Sequence, residues 1–253
     1  YHLDGGGESV VLGGGMAYVA PQILLQIESF AIDVKKIKKL IILHTHFDHC
    51  GLVPYLKKLW PWVKVCASEA GKSCLSDTNL TRYIAALNQA TIVRDGLEKA
   101  AAQVGFEFTG ITVEQVLKQG DRLACGDLAL DILEVPGHSS CSIAVYIPEQ
   151  KALFPSDASG VHYPGFIFSA GNSNFDLYER SLHRLAGFIQ AAERPTDPKV
   201  APAKISPAMV FVMGNLYFQA DRMNEARLAF LEAIRRFPRF RRAHTNLAYL
   251  YIS

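Results

Sequence analysis

Lys39-Leu40-Ile41-Ile42-Leu43-His44-Thr45-His46-Phe47-Asp48-His49-Cys50-Gly51 is the stretch on which the reading of this chain turns. Its first half is an apolar run of strand length, and its second half carries four metal-capable side chains between His44 and His49. An apolar run of this kind, closed by a glycine-containing turn, reads as a buried strand. Such a strand brings the chain to one end of a sheet, and the turn after it splays His44, His46, Asp48 and His49 into a common space. Neutral imidazole suits zinc, iron and related first-row ions, and a carboxylate beside three imidazoles suits a second ion or a metal-bound water. A lone histidine in a polar turn merely fills space. Three histidines and an aspartate at this density are costly to bury without partners.

Three further motifs follow in order. Leu3-Asp4-Gly5-Gly6 reads as a strand ending in Asp, Pro136-Gly137-His138-Ser139-Ser140 as a turn presenting a single His, and Leu153-Phe154-Pro155-Ser156-Asp157-Ala158 as another strand ending in Asp. Together with His-x-His-x-Asp-His after a hydrophobic strand, they resemble the metallo-β-lactamase-fold hydrolases over about residues 1 to 192. The resemblance implies an αββα sandwich of the α/β class. It implies that His44, His46 and His138 hold a first metal, and that Asp48, His49 and Asp157 hold a second, with Asp157 bridging. It gives Asp48 a catalytic role, orienting a bridging hydroxide and shuttling a proton to the leaving group. It makes Asp4 the partner of a ligand imidazole. The family has one more His on a late strand after the closing helix. Here His183 falls within that helix and His162 in the loop Gly160-Val161-His162-Tyr163-Pro164, so this ligand has no counterpart.

The cofactors expected are two divalent ions, zinc, with iron as the alternative. Flavodiiron-type members of the fold carry Glu in place of the second His of the motif, here His46. Phe154-Pro155-Ser156-Asp157-Ala158 and Tyr178-x-x-Ser181-Leu182 have a mild flavodiiron flavour. The function expected is hydrolysis of a small ester, thioester or related bond by a metal-bound hydroxide. The alternatives are a non-heme di-iron protein binding or reducing oxygen, and a degenerate metal domain in an interaction scaffold.

Composition bounds these readings. The 253 residues are 49% hydrophobic with a net charge of +2, which suits one or two globular domains and gives no reason to expect nucleic acid or a membrane surface. There is no apolar run long enough for a membrane span. Neither is there a visible signal peptide, although the chain opens on Tyr1 rather than Met. Cys50, Cys66, Cys74, Cys125 and Cys141 are scattered without Cys-x-x-Cys. They point to a reducing, cytoplasmic setting rather than a disulfide framework, and Cys50 to a buried thiol.

Strands and helices alternate at first. Ser9–Leu12, Leu40–Leu43 and Val63–Ala67 read as strands, and Pro21–Ile32 and Leu52–Trp60 as helices. Asn79–Val104 reads as helical with an interruption near Asp95-Gly96. Strands follow at Val113–Leu117, Asp121–Ala124, Leu128–Val135, Ser142–Ile147 and Ala152–Phe154, and then a helix at Asn174–Ala192. Loops at about Asn79 to Gly110 and Ser159 to Ser173 are where specificity for a small-molecule substrate is expected.

The pattern divides the chain into a metal-binding domain at 1–193, a proline-rich linker at 194–206 and an all-α segment at 207–253. Gly214, Tyr217, Ala226, Phe230, Ala233 and Pro238 resemble the tetratricopeptide repeat in type and spacing, and Ala248 and Tyr251 return 34 residues after Gly214 and Tyr217. Helices are expected at Ser206–Gln219, Asn224–Phe237 and from about Arg241. One full repeat and the start of a second imply further repeats beyond Ser253. They also imply a docking groove for a protein or peptide partner, acidic in character because Arg235, Arg236, Arg239, Arg241 and Arg242 lie near its end.

Overall fold

The computed structural model describes residues 1–103, 108–159, 161–163, 166–168, 174–192, 207–219, 221–236, 238–239 and 241–252. They fall into two compact units, Tyr1–Glu134 with Cys141–Phe154, and Val135–Ser140 with Pro155–Ser253.

The first unit contains two sheets. One has five strands in sequential order: β1 (His2–Asp4), β2 (Ser9–Leu12), β3 (Ile37–Ile41), β4 (Lys64–Ser68) and β5 (Gln115–Leu117). β1 runs antiparallel to β2, whereas β2 to β5 are parallel. Parallel pairing needs long crossovers, and these carry α1 (Ala20–Ser29), α2 (Phe47–Cys50), α3 (Val53–Leu59), α4 (Glu69–Ser76), α5 (Thr78–Arg94) and α6 (Glu98–Gln103). The other sheet is an antiparallel meander of β6 (Arg122–Cys125), β7 (Leu128–Glu134), β8 (Ile143–Ile147) and β9 (Ala152–Phe154).

The period of two along β3 and its continuation explains the layering. Leu40 and Ile42 pack with Val65, Ala67, Leu56 and Ile84 on the helical side. Ile41 and Leu43 point the other way and pack with Cys66, Leu130, Ile132, Ile143 and Val145 between the sheets. The run Leu40–Leu43, buried on both faces, is therefore apolar throughout, whereas Lys38 and Lys39 before it are not buried.

Two hairpin turns lock the sheets to each other. Asp127 N donates to Gly5 O at 2.8 Å. A Cβ on Gly5 would overlap the Cys125 carbonyl, and one on Gly126 (φ +56°) would overlap the Gly5 carbonyl.

In the second unit, β10 (Val161–Tyr163) and β11 (Phe166–Phe168) form a hairpin, and α7 (Phe175–Ala192) is followed by α8 (Pro207–Gln219), α9 (Met223–Arg236) and α10 (Arg241–Ile252). The last three helices fall where the apolar spacing places them. Gly214 lies where a Cβ would overlap the Phe230 ring, so α8 and α9 cross at close range. Phe211, Ala226, Phe230, Ala233 and Ala243 are buried around that crossing. Arg222, immediately before α9, pairs with Glu179 of α7 at 3.0 Å. The expected linker at 194–206 lies outside the described residues.

Three elements differ from expectation. A short helix, α2, runs through the histidine motif itself. α4 forms although Gly71, Ser73 and Ser76 are weak helix formers, because Ser68 caps it by accepting from Gly71 N at 3.0 Å. β10 and β11 form a hairpin where a loop is expected. The expected break at Asp95-Gly96 is present, with Gly96 at φ +65° between α5 and α6.

Gly126→Ala should cost about 1–3 kcal/mol through its forced left-handed backbone and the overlap with Gly5, whereas Gly7→Ala, which meets open space, should stay within about 0.5 kcal/mol. Urea denaturation of both variants checks this. Burial pushes the Cys66 thiol up to about 11, so alkylation of the folded chain at pH 8 should label half-exposed Cys74 and spare Cys66 until unfolding.

Candidate metal centre

The first unit delivers the histidine motif from the end of β3. Ile42 N donates to Cys66 O at 2.8 Å, which extends the ladder with β4 beyond Ile41, and Ile143 N then donates to Leu43 O at 2.8 Å. The chain thus passes from one sheet to the other as it leaves the core, and His44, the next residue, is 1% exposed. His46 is extended (φ −65°, ψ 148°) and stands at the start of α2, where its carbonyl accepts from His49 N and Cys50 N at 2.9 and 3.1 Å. The one-turn helix folds Asp48 and His49 back toward His44. The His44 ring lies 4.6 Å from that of His46 and 4.0 Å from that of His49 between centroids. The donor nitrogens of His46 and His49 each come within 4.8 Å of one on His44. Asp48 Oδ2 lies 3.5 Å from His49 Nε2.

Burial alone pushes the Asp48 carboxyl up. The hydrogen bond and charge of His49, a backbone N–H and the charge of His46 outweigh it, so the group sits below the usual carboxylate range. It is a carboxylate at neutral pH.

Small residues make room for this turn. A Cβ on Gly51 would overlap the Asn88 amide and the Phe47 carbonyl, so α2 is pressed against α5. Gly14 N donates to His49 O at 2.6 Å and Leu52 N to Gly15 O at 3.1 Å, which binds the glycine-rich loop to α2. Thr45, between the two histidines, has its hydroxyl 3.3 Å from Cys141 Sγ, and Ser68 Oγ donates to Cys141 O at 2.8 Å. Cys50 turns inward to Thr45 O at 3.4 Å. Burial raises its thiol to about 12, which fits the buried-thiol reading.

The second unit holds the other two expected ligands as a pair, with His138 Nε2 3.6 Å from Asp157 Oδ2. α7 organises both. Tyr178 Oη donates to Asp157 O at 3.1 Å and Ser181 Oγ to Pro136 O at 2.6 Å. Asn174 N donates to Gly137 O at 3.0 Å. Gly137 sits at φ +137°, with Tyr178 so close that a Cβ would overlap its backbone, which is the physical reason for glycine before His138. Ser156, at φ +52°, holds a left-handed conformation immediately before Asp157. Strain of this kind, of order 1–3 kcal/mol, persists only where surroundings impose it.

Asp4 departs from expectation. It is exposed at the tip of the β1–β2 hairpin and accepts from Gly6 N at 2.9 Å, which makes it a turn residue and not the partner of a ligand imidazole. His183 is exposed on α7, and His162 lies on β10. Tyr178 and Ser181 were not expected as supports, although their spacing stood out.

Imidazole nitrogens and a carboxylate oxygen, gathered where the chain leaves a rigid strand, are a donor set that fits a first-row divalent ion. A family model for the metallo-beta-lactamase superfamily matches residues 1–198. The chain belongs to this superfamily. The His/Asp cluster therefore marks a site for divalent metal. The chain is 28% identical over 160 residues to an acyl-coenzyme A thioesterase, MBLAC2, of Bos taurus, covering 63% of this chain and 53% of the relative. It is 28% identical over 183 residues to a hydroxyacylglutathione hydrolase of Legionella pneumophila (strain Lens), covering 72% and 52%. The chain spans about half the length of these relatives. A solved metallo-beta-lactamase family protein of Thermus thermophilus has a TM-score of 0.58 at 21% identity, covering all of this chain and 87% of that one. No helix is long and apolar enough to cross a membrane among the described residues.

His46→Ala should lower the metal bound per chain, since it removes an imidazole from the cluster. Elemental analysis of the purified variant beside the parent checks this.

Proposed function

We propose that the chain is a divalent-metal hydrolase of thioesters. His44, His46 and His138 would hold one ion, and Asp48, His49 and Asp157 would hold a second. The observation that carries the reading is the cluster of three imidazoles and an ionised Asp48 at the end of β3 in a chain of this superfamily. Covalent connection supports joining the two groups of ligands. Cys141, pinned by Thr45 and Ser68, follows His138 by three residues, a span of at most about 11 Å. Asp157 follows the end of β9 by the same number. By name, the thioesterase and the glutathione-linked hydrolase both act on acyl groups carried by a thiol.

When bound, a divalent ion supplies Lewis acidity that polarises a carbonyl oxygen and brings the ionisation of water close to neutral pH. The side chains do the rest. Asp48, ionised and half-exposed, orients the attacking water, takes its proton and returns it to the departing sulfur. The water oxygen bonds to the acyl carbon, the carbon–sulfur bond breaks, and a carboxylate and a thiol leave. Zinc is the ion favoured, because His46 stands where flavodiiron-type members carry Glu.

The same proposal covers the C-terminal helices. Residues 194–206 act as a linker, and α8 to α10 form a tetratricopeptide-like docking segment for a protein or peptide partner. The close α8–α9 crossing at Gly214 and Phe230 supports this. Arg235 is paired with Glu232 at 2.6 Å, which leaves exposed Arg239 as a better candidate for an acidic partner. The free cysteines suit a reducing, cytoplasmic setting.

Chelation should abolish thioester hydrolysis, and zinc should restore it. Two irons per chain with visible absorbance, and no hydrolysis, would sink the reading. Tyr178→Phe removes the bond to the Asp157 carbonyl, and should weaken metal binding about 10- to 100-fold in a chelator competition while leaving the helical content unchanged.

A further inference from the structure

A cavity of about 330 Å³ lies beside Asp48 and His49 in the first unit. Its wall is largely apolar, built from Val11, Ile23, Ile27, Ile32, Leu56 and Trp60, and it includes Asp48, His49 and the loop Gly13–Gly15. The cavity runs along the inner side of α1. Ala20, at the start of α1, is its one fully buried residue. Ile23 and Ile27, one turn apart on its inner face, are only half-buried. An apolar wall left open to water beside a reactive centre favours an apolar occupant.

We propose that this cavity seats the acyl chain of the substrate and that the enzyme prefers medium-chain acyl thioesters. The inference rests on the thioesterase reading and adds to it the substrate class. Asp48 and His49 lie in the wall itself, so a chain lying along Ile23 and Ile27 ends with its carbonyl at those ligands. The glycine loop makes this register rigid, because Gly14 and Gly15 form wall and are bonded to His49 and Leu52. The apolar wall favours a hydrocarbon and disfavours a charged or polyhydroxylated acyl group. The cavity is large enough for a chain of several methylenes, so a medium-length acyl group fills it better than butanoyl.

Trp60 gives a readout independent of metal and turnover. In the full chain, 10-bromodecanoate should quench Trp60 emission in a saturable way and bromobutyrate should not. Trp60→Phe should remove the quenchable component, since Trp62 does not line the cavity. Ile27→Phe and, separately, Ile23→Phe should weaken bromodecanoate at least tenfold, with thermal melts showing that each variant folds. In the zinc-loaded chain, kcat/KM should rise up to about fourfold per methylene from butanoyl to about decanoyl thioesters and then level. The fillers should lower the decanoyl-to-butanoyl ratio. A flat chain-length series, or quenching that survives Trp60→Phe and both fillers, overturns the acyl site while leaving the hydrolase reading intact. Normal bromodecanoate binding with no hydrolysis of any thioester by the zinc-loaded chain overturns the hydrolase reading, and with it the substrate role of the cavity.

Discussion

The burial of Leu40–Leu43, at the end of β3 and just beyond it, on both faces is the constraint on which the rest depends. Leu40 and Ile42 face the helices, and Ile41 and Leu43 face the second sheet. Each such side chain contributes about 1.5–3 kcal/mol when fully buried. An all-apolar run such as Leu40–Leu43 does not define its own register by alternation, since a shift of one residue exchanges one apolar face for another. The ends define it instead. Lys38 is exposed at one end, and at the other the polar run begins only after Leu43 has accepted from Ile143 N. A shift in either direction would bury a lysine or draw His44 into the gap between the sheets. The place where His44 leaves the core is thus determined by the whole sandwich.

Much of this was legible in the sequence because it is local. The strands of the second sheet are short, alternating and bounded by turn residues, and they appear within a residue or two of expectation. The break at Asp95-Gly96 needed only one glycine at positive φ. α4 was not legible, because its residues are poor helix formers and its start depends on the Ser68 cap. β10 and β11 were not legible either, since Gly160-Val161-His162-Tyr163-Pro164 carries the turn-forming residues of a loop.

The site divides in the same way. His44, His46, Asp48 and His49 are contiguous, so their convergence needs only a strand followed by one helical turn. His138 and Asp157 were marked by their turns, and the structure pairs them with each other. Their supports were hidden, because Tyr178 and Ser181 act from a helix many residues away, and a buried Tyr or Ser on an amphipathic helix looks like ordinary packing. Asp4 failed for the opposite reason. Its place before Gly5-Gly6 is equally that of a turn residue, and the hairpin uses it so.

The two groups of ligands are held by unlike means. Backbone hydrogen bonds from β4, β8 and the glycine loop hold the histidine motif, and these cannot be lost without opening the sandwich. The bonds that hold the His138 turn include those from Ser181 and Asn174. Val135 and His138 are buried with it, and the left-handed Ser156 is a cost of order 1–3 kcal/mol that such contacts offset. An ion held in common by His138 and Asp157 would add to that support. In a site of that kind, the free energy of metal binding is also free energy of folding. On the proposed ligand set, the sandwich itself positions the histidine motif, whereas α7 and its flank position the His138–Asp157 pair.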